Sequence, residues 1–172
     1  GQATAGPGSR FGGALISDAA HPAIAVIGAG SWGTALAIQF ARVGCDVRLG
    51  GVVELDLLEA MVEDRENKRY LPGVEFPAGL SACPDLAQCL DGVGDVLVVV
   101  PSHGLRDTLK QIKPLLGSGS RICWATKGFE LSTGKLPHQV AAEVLGPDIP
   151  VAVLSGPTFA KEVGEGLPTA MT

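Results

Sequence analysis

The sequence predicts an α/β protein: a mostly parallel sheet with helices on both faces. Three observations predict it. Short, unbroken apolar runs recur at 24–27, 96–100, 122–125 and 151–154, and such runs suit strands buried on both faces. Segments with helical spacing lie between them at βαβ distances, which calls for parallel strands joined by right-handed crossovers. The first apolar run passes directly into Gly28-Ala29-Gly30-Ser31-Trp32-Gly33, the strand–turn–helix setting of a Rossmann-like dinucleotide fold.

Taken in order, residues 1–22 are rich in Gly, Ala, Ser and Pro and read as a disordered lead-in or an expression remnant. The dinucleotide-binding domain is expected over 23–172. Strand 24–27 is followed by a helix over 31–43, opened by Ser31. Residues 46–49 form a second strand and 55–65 a second helix. The Pro/Gly-containing stretch 66–78 is a loop, and 84–90 a short helix. Residues 95–100 are the strongest strand, ended by Pro101. Ser102 is expected to cap a helix running to about 116, with Pro114 able to end it sooner. A strand at 121–125, a helix at 136–145 and a strand at 151–154 follow. A short helix is expected over 158–163 and a last strand over 168–172.

In an open α/β sheet, ligands bind beyond the carboxyl ends of the strands. In the glycine pattern, Gly28 permits a tight turn, Gly30 lets a pyrophosphate approach the backbone, and Gly33 lets the helix pack closely. The helix N–H groups and positive dipole end then face the phosphates. Beyond later strands lie His103, Lys127 and the group Ser155-Gly156-Pro157-Thr158, and all are expected to converge on one crevice. Lys127 ends a buried strand, where a cation can hold a phosphate or polarise a carbonyl. His103 reads equally as an acid/base group, a cofactor contact or a plain first-turn residue. Ser155 to Thr158 offer hydroxyls and N–H groups to an anion, or simply cap a helix. His21 and His138 have no local partner.

The composition excludes several classes. A net charge of −5 supplies no basic stripe for nucleic acid. No apolar run of about 18 residues offers a membrane span. Cys45, Cys83, Cys89 and Cys123 match neither zinc-knuckle nor CxxC spacing, so a reduced, cytoplasmic protein without metal is expected, with Cys123 as a small core residue. No GxSxG nucleophile elbow is present.

The segments GAGSWGTALA (28–37), NKRYLPG (67–73), VVVPSH (98–103), WATKGFE (124–130), LSGPTFAKEV (154–163) and LPTAMT (167–172), in this order, resemble the bacterial type of NAD(P)-dependent glycerol-3-phosphate dehydrogenase. The resemblance covers about 23–172. It implies a Rossmann-like domain followed by a helical substrate domain, which lies outside this chain. It also implies reversible reduction of dihydroxyacetone phosphate to glycerol 3-phosphate by NADH or NADPH, supplying phospholipid synthesis, in a homodimer. By the same resemblance Gly28, Gly30, Ser31, Trp32, Gly33, Lys127 and Ala160 meet the cofactor. Lys127, Gly156 and Thr158 meet the substrate, and Lys127 is the catalytic group.

Two departures stand out. Where family members carry Trp and then a basic residue, this chain has Gly50-Gly51-Val52-Val53, and the stretch to Asp56 is one residue longer. Val52 cannot pair with a 2′-phosphate, whereas Glu54 sits where an acid would hold a ribose 2′-hydroxyl, with Arg48 a possible compensating cation. The family's proton-donating lysine and its other substrate groups belong to the helical domain, so these 172 residues should bind dinucleotide and turn over poorly or not at all. The alternatives are another two-domain dehydrogenase, of ketopantoate reductase or 3-hydroxyacid dehydrogenase type, and a noncatalytic dinucleotide sensor.

Overall fold

The computed structural model describes residues 23–156 and 159–168. Six parallel strands form one sheet: β1 (Ala23–Ile27), β2 (Asp46–Gly50), β3 (Leu80–Ala82), β4 (Asp95–Val98), β5 (Arg121–Trp124) and β6 (Val151–Val153). Their order is β3-β2-β1-β4-β5-β6. The chain winds outward from β1 to one edge, returns to β4 on the other side of β1, and winds to the opposite edge. The β1/β4 boundary is therefore a topological switch point, where a crevice opens beyond the strand ends. Ile27 stands level with Gly50 of β2 and Val98 of β4, which puts three strand ends side by side.

Helices cover both faces, as the unbroken apolar runs require. Helices α1 (Ser31–Arg42), α2 (Leu55–Asp64) and the short α6 (Ala160–Gly164) pack on the face that carries Val26, Val47, Leu49 and Leu97. Helices α3 (Leu86–Leu90), α4 (Ser102–Ile112) and α5 (Pro137–Leu145) pack on the face that carries Ala25, Ile27, Val96, Val98 and Ile122. Along α4 the buried positions are 105, 108, 109 and 112, one stripe of a 3.6-residue period. Alternate residues of β1 thus feed two separate cores.

Several sequence expectations are corrected. Strand β3 is missing from the pattern reading because it is three residues long and only Leu80 is buried; it pairs with β2 alone, as an edge. β4 ends at Val98, two residues early. The Val99 N–H still reaches the Ile27 carbonyl at 2.8 Å, but the chain then turns toward Pro101, which has no N–H to extend the ladder. Ser102 does not cap α4: it is the first helical residue, and Pro101 occupies the cap position without a side-chain bond. Pro114 does end the α-helix, which tightens into a 3₁₀ turn at Lys113–Leu115. The final helix starts at Ala160 rather than 158, with Phe159 at its cap. The lead-in 1–22, Pro157 and Thr158, and most of the expected strand 168–172 lie outside the described residues.

Cys123 is only half-buried, not a core residue. The helices of its face cover β1 and β2 but thin out toward β6, whose three residues are all exposed. There Cys123, Ile24, Phe40 and Leu154 line an open apolar groove of about 390 Å³.

The loop after β5 is clamped from both sides. Arg106 on α4 makes two parallel bonds to Glu130, at 2.8 and 2.9 Å, and a third to Glu143 on α5 at 2.8 Å. Lys135 also pairs with Glu143, and Thr133 donates to Glu130. The Arg106 guanidinium first, and the Thr133 hydroxyl second, hold the Glu130 carboxyl down at about 2 against an ordinary 4.5. A carboxyl depressed by folding stabilises the fold fully above its ordinary value, and that contribution fades as pH falls through the folded value. The melting temperature of the wild type should therefore exceed that of Glu130→Gln at pH 7. The gap should close as pH falls from 4.5 toward 2, as scanning calorimetry can measure. A gap that is constant over this range would place the stabilisation in packing rather than charge.

Candidate functional site

The glycine turn is set by contacts that admit no side chain at two of its three glycines. Gly28 adopts φ +123°, and a Cβ there would stand 2.0 Å from the Val99 carbonyl oxygen. Its N–H donates to the Gly50 carbonyl at 2.9 Å, binding the turn to the end of β2. A Cβ on Gly33 would lie 1.9 Å from the Gly28 carbonyl oxygen, so the start of α1 rests on the turn itself as well as against the β4 end. Gly30 differs: the space around its missing side chain is open to 4 Å. Room is left there on the side a ligand would approach.

The N-terminus of α1 is open to the same space. Gly30 provides no side-chain cap, and no acidic residue lies in the first turn. The first N–H to find an intrahelical acceptor is that of Thr34, bonded to the Gly30 carbonyl at 3.0 Å. The N–H groups of Ser31, Trp32 and Gly33 precede it, at the positive end of a twelve-residue helix. This arrangement accepts a pyrophosphate: a cradle next to Gly30 and donors beside it.

Two cavities adjoin at the turn and share Gly30, Ser31, Val99, Val100 and Pro101. The first, about 490 Å³, is walled by Trp32, Gly33, Ala125, Thr126, Lys127, Phe159 and Ala160. The second, about 820 Å³, runs past Gly28 to Val52, Val53, Glu54 and Tyr70 on one side and to His103 and Asp107 on the other. Thr108 also lines it, with a buried hydroxyl that has no protein partner. A long ligand with a polyphosphate at its middle matches this pair of cavities astride a helix N-terminus.

Lys127 follows β5 and turns into the first cavity. The hydroxyl of Thr126 donates to the Val100 carbonyl at 2.7 Å, tying the end of β5 to that of β4. The Lys127 ammonium donates to the Gly156 carbonyl at 3.3 Å and is otherwise exposed. Lys127 is the one ionisable side chain on this cavity among the described residues. The structure thus brings Gly30, Ser31, Trp32, Gly33, Lys127 and Ala160 together, with Gly28 on the adjoining cavity and Gly156 linked through Lys127. Thr158 lies outside the described residues. His103 lines the second cavity and not the one that Lys127 lines, a position open to cofactor contact. Arg48 is not available as a compensating cation. Its guanidinium donates to the carbonyls of Gln88 and Asp91 at 2.9 and 2.7 Å, closing the end of α3.

Asn67 is the residue that pattern reading passes over. It is fully buried, and its amide donates to the Ala29 carbonyl at 2.9 Å and the Thr34 hydroxyl at 2.8 Å. Its side-chain oxygen accepts the Tyr70 N–H at 3.0 Å. One amide thereby joins the glycine turn, α1 and the 67–73 loop. Its only sequence signal is membership of the NKRYLPG segment.

A glycerol-3-phosphate dehydrogenase [NAD(P)+] of Stenotrophomonas maltophilia is 51% identical over 149 residues, 87% of this chain and 43% of that protein. The crystal structure of glycerol-3-phosphate dehydrogenase from Coxiella burnetii superposes with a TM-score of 0.82 at 46% identity, covering 88% of this chain and 46% of that one. The chain therefore spans less than half the length of these relatives. A ketopantoate reductase from Ralstonia eutropha, at 20% identity and a TM-score of 0.55 over 80% of this chain and 41% of that one, shares the fold alone. Residues 23–172 match the family model described as NAD-dependent glycerol-3-phosphate dehydrogenase N-terminus, and the chain belongs to that family.

Proposed function

We propose that this chain is the dinucleotide-binding part of a glycerol-3-phosphate dehydrogenase that interconverts dihydroxyacetone phosphate and glycerol 3-phosphate with NAD(H) or NADP(H). The observation that carries the reading is the meeting of the α1 N-terminus, Lys127 and Ala160 on one cavity beside the glycine turn. The dinucleotide, when bound, supplies or accepts the hydride. The N–H groups of Ser31, Trp32 and Gly33 hold its pyrophosphate, and Gly28 and Gly33 keep backbone and helix close enough to do so. Lys127 holds the triose phosphate and stabilises the negative charge that develops on its carbonyl oxygen. Val99, Pro101 and Phe159 give the cavity its apolar wall. Gly156 aims the ammonium, and Thr158 and Ala160 complete the substrate and cofactor contacts, as the family resemblance implies.

With Lys127 committed to charge stabilisation, this cavity has no second ionisable side chain among the described residues to donate the proton. The proton is assigned to the helical part of the family's length, and the 172 residues by themselves bind dinucleotide without efficient turnover. Dimerisation, a cytoplasmic location and supply of phospholipid synthesis go with the same reading. Among the described residues no helix is long and apolar enough to cross a membrane.

The test is a chimera in which residues 23–172 replace the matching segment of the Stenotrophomonas maltophilia dehydrogenase. It should oxidise NADH or NADPH with dihydroxyacetone phosphate, while the 172-residue chain alone binds dinucleotide and turns over at least fiftyfold more slowly. A chimera that binds dinucleotide but reduces ketopantoate or a 3-oxoacid instead would overturn the assignment. Binding with no turnover on any of these would favour the sensor reading.

A further inference from the structure

The turn that follows β2 carries a connected set of polar contacts. Gly50 is followed by an extended turn to Glu54, which adopts the left-handed conformation at φ 52° and opens α2. Its carboxylate accepts the Tyr70 hydroxyl at 2.9 and 3.2 Å and pairs with the Arg69 guanidinium at 3.0 Å. Arg69 in turn lies over the Tyr70 ring, 5.2 Å from its centroid. Tyr70 is fixed at its backbone by Asn67, the residue that also holds the Ala29 carbonyl of the glycine turn. One connected set of bonds therefore runs from the pyrophosphate turn to the Glu54 carboxylate, across the mouth of the second cavity.

Permanent charge on that cavity is acidic. Glu54 and Asp107 line it, His103 is its one basic side chain among the described residues, and no lysine or arginine of those residues lines it. Arg48 is turned to the α3 carbonyls, and Arg69 is engaged by Glu54. A ribose 2′-hydroxyl can donate to a carboxylate in this position, whereas a 2′-phosphate of nearly two negative charges would face Glu54 without a free cation to receive it.

We propose that Glu54 reads the adenosine ribose and makes the protein select NAD(H) over NADP(H), with Tyr70 as the positioning residue that holds the carboxylate. This rests on the dinucleotide reading above and adds to it the choice between the two cofactors.

The test is equilibrium binding of NADH and NADPH to the 172-residue chain, read by titration calorimetry, with melting temperature as a folding check. The wild type should bind NADH at least tenfold more tightly than NADPH. Glu54→Gln should narrow that ratio at least fivefold, mainly by gain of NADPH affinity. Tyr70→Phe, which keeps the ring under Arg69, should narrow it about threefold in the wild type and not at all in the Glu54→Gln background, since it acts only through the carboxylate. A purely structural Tyr70 would instead lower the affinity for both dinucleotides in either background. Equal binding of the two by the wild type, a preference for NADPH, or a ratio unmoved in Glu54→Gln would overturn the proposal alone. Failure of a folded chain to bind either dinucleotide would overturn the dinucleotide reading and this proposal with it.

Discussion

Lys127→Ala, placed in the chimera with the Stenotrophomonas maltophilia dehydrogenase, should lower kcat/KM for dihydroxyacetone phosphate at least a hundredfold, about 2.7 kcal/mol of transition-state stabilisation. The magnitude follows from the surroundings of the ammonium. It is the one ionisable side chain on its cavity among the described residues, so no neighbour can replace it. Its carbonyl partner, Gly156, takes one of the three donors of the ammonium. Thr126, bonded to Val100, fixes the backbone from which the side chain springs. Dinucleotide affinity should fall less than tenfold, because the pyrophosphate is held by the α1 N-terminus and not by the lysine. Steady-state kinetics with calorimetric binding separates the two effects. A kcat/KM within about threefold of the parent, under roughly 0.7 kcal/mol, would remove Lys127 from the chemistry.

The second large effect is on the fold. Gly33→Ala should destabilise the protein by about 3 kcal/mol or more, lowering the melting temperature by roughly 6–12 °C, and should abolish measurable dinucleotide binding. The added methyl would meet the Gly28 carbonyl oxygen at 1.9 Å, against backbone that cannot swing aside as a side chain could. Either α1 lifts from the turn or the turn opens, and both spoil the phosphate cradle. Gly30→Ala is the matched control. Its methyl enters open space, and its backbone angles, φ −73° and ψ −175°, suit alanine. Its melting temperature should stay within about 1 °C of wild type, as surface changes do, while dinucleotide affinity falls about tenfold. Were Gly33→Ala to fold and bind normally, the close approach of α1 to the turn would not be what the glycine serves.

The two glycines also mark how far the sequence could be read. The pattern placed Gly28, Gly30 and Gly33 at a strand–helix turn because they follow an apolar run and open a segment of helical spacing. The parallel sheet and its two helix layers were legible because β1, β4 and β5 hold apolar runs that are largely buried, whereas the similar run of β6, expected to be buried, is exposed at the edge of the sheet. Lys127 was legible from its place after such a run. β3 was not, since three residues with one buried side chain leave no period. Nor was Asn67, because a buried amide is recognised by its partners, and those lie on α1 and the glycine turn. The role of Arg48 was misjudged for the same reason: spacing put a cation near the end of β2, but only the tertiary structure reveals that the α3 carbonyls claim it. Glu54, by contrast, stands on the second cavity, where its distance from the first strand put an acid.

The Asn67 amide has a consequence for how the motif comes into being. It reaches the Ala29 carbonyl across 38 residues of chain and the Thr34 hydroxyl across 33. Closing a loop of that length carries an entropic cost that only β2, α2 and their packing can offset. The glycine motif is therefore a local sequence but not a local structure. A peptide of β1 and α1 alone would hold every residue of the pattern without its shape. The site for the pyrophosphate is whole only when the 67–73 loop is docked and its amide holds the turn.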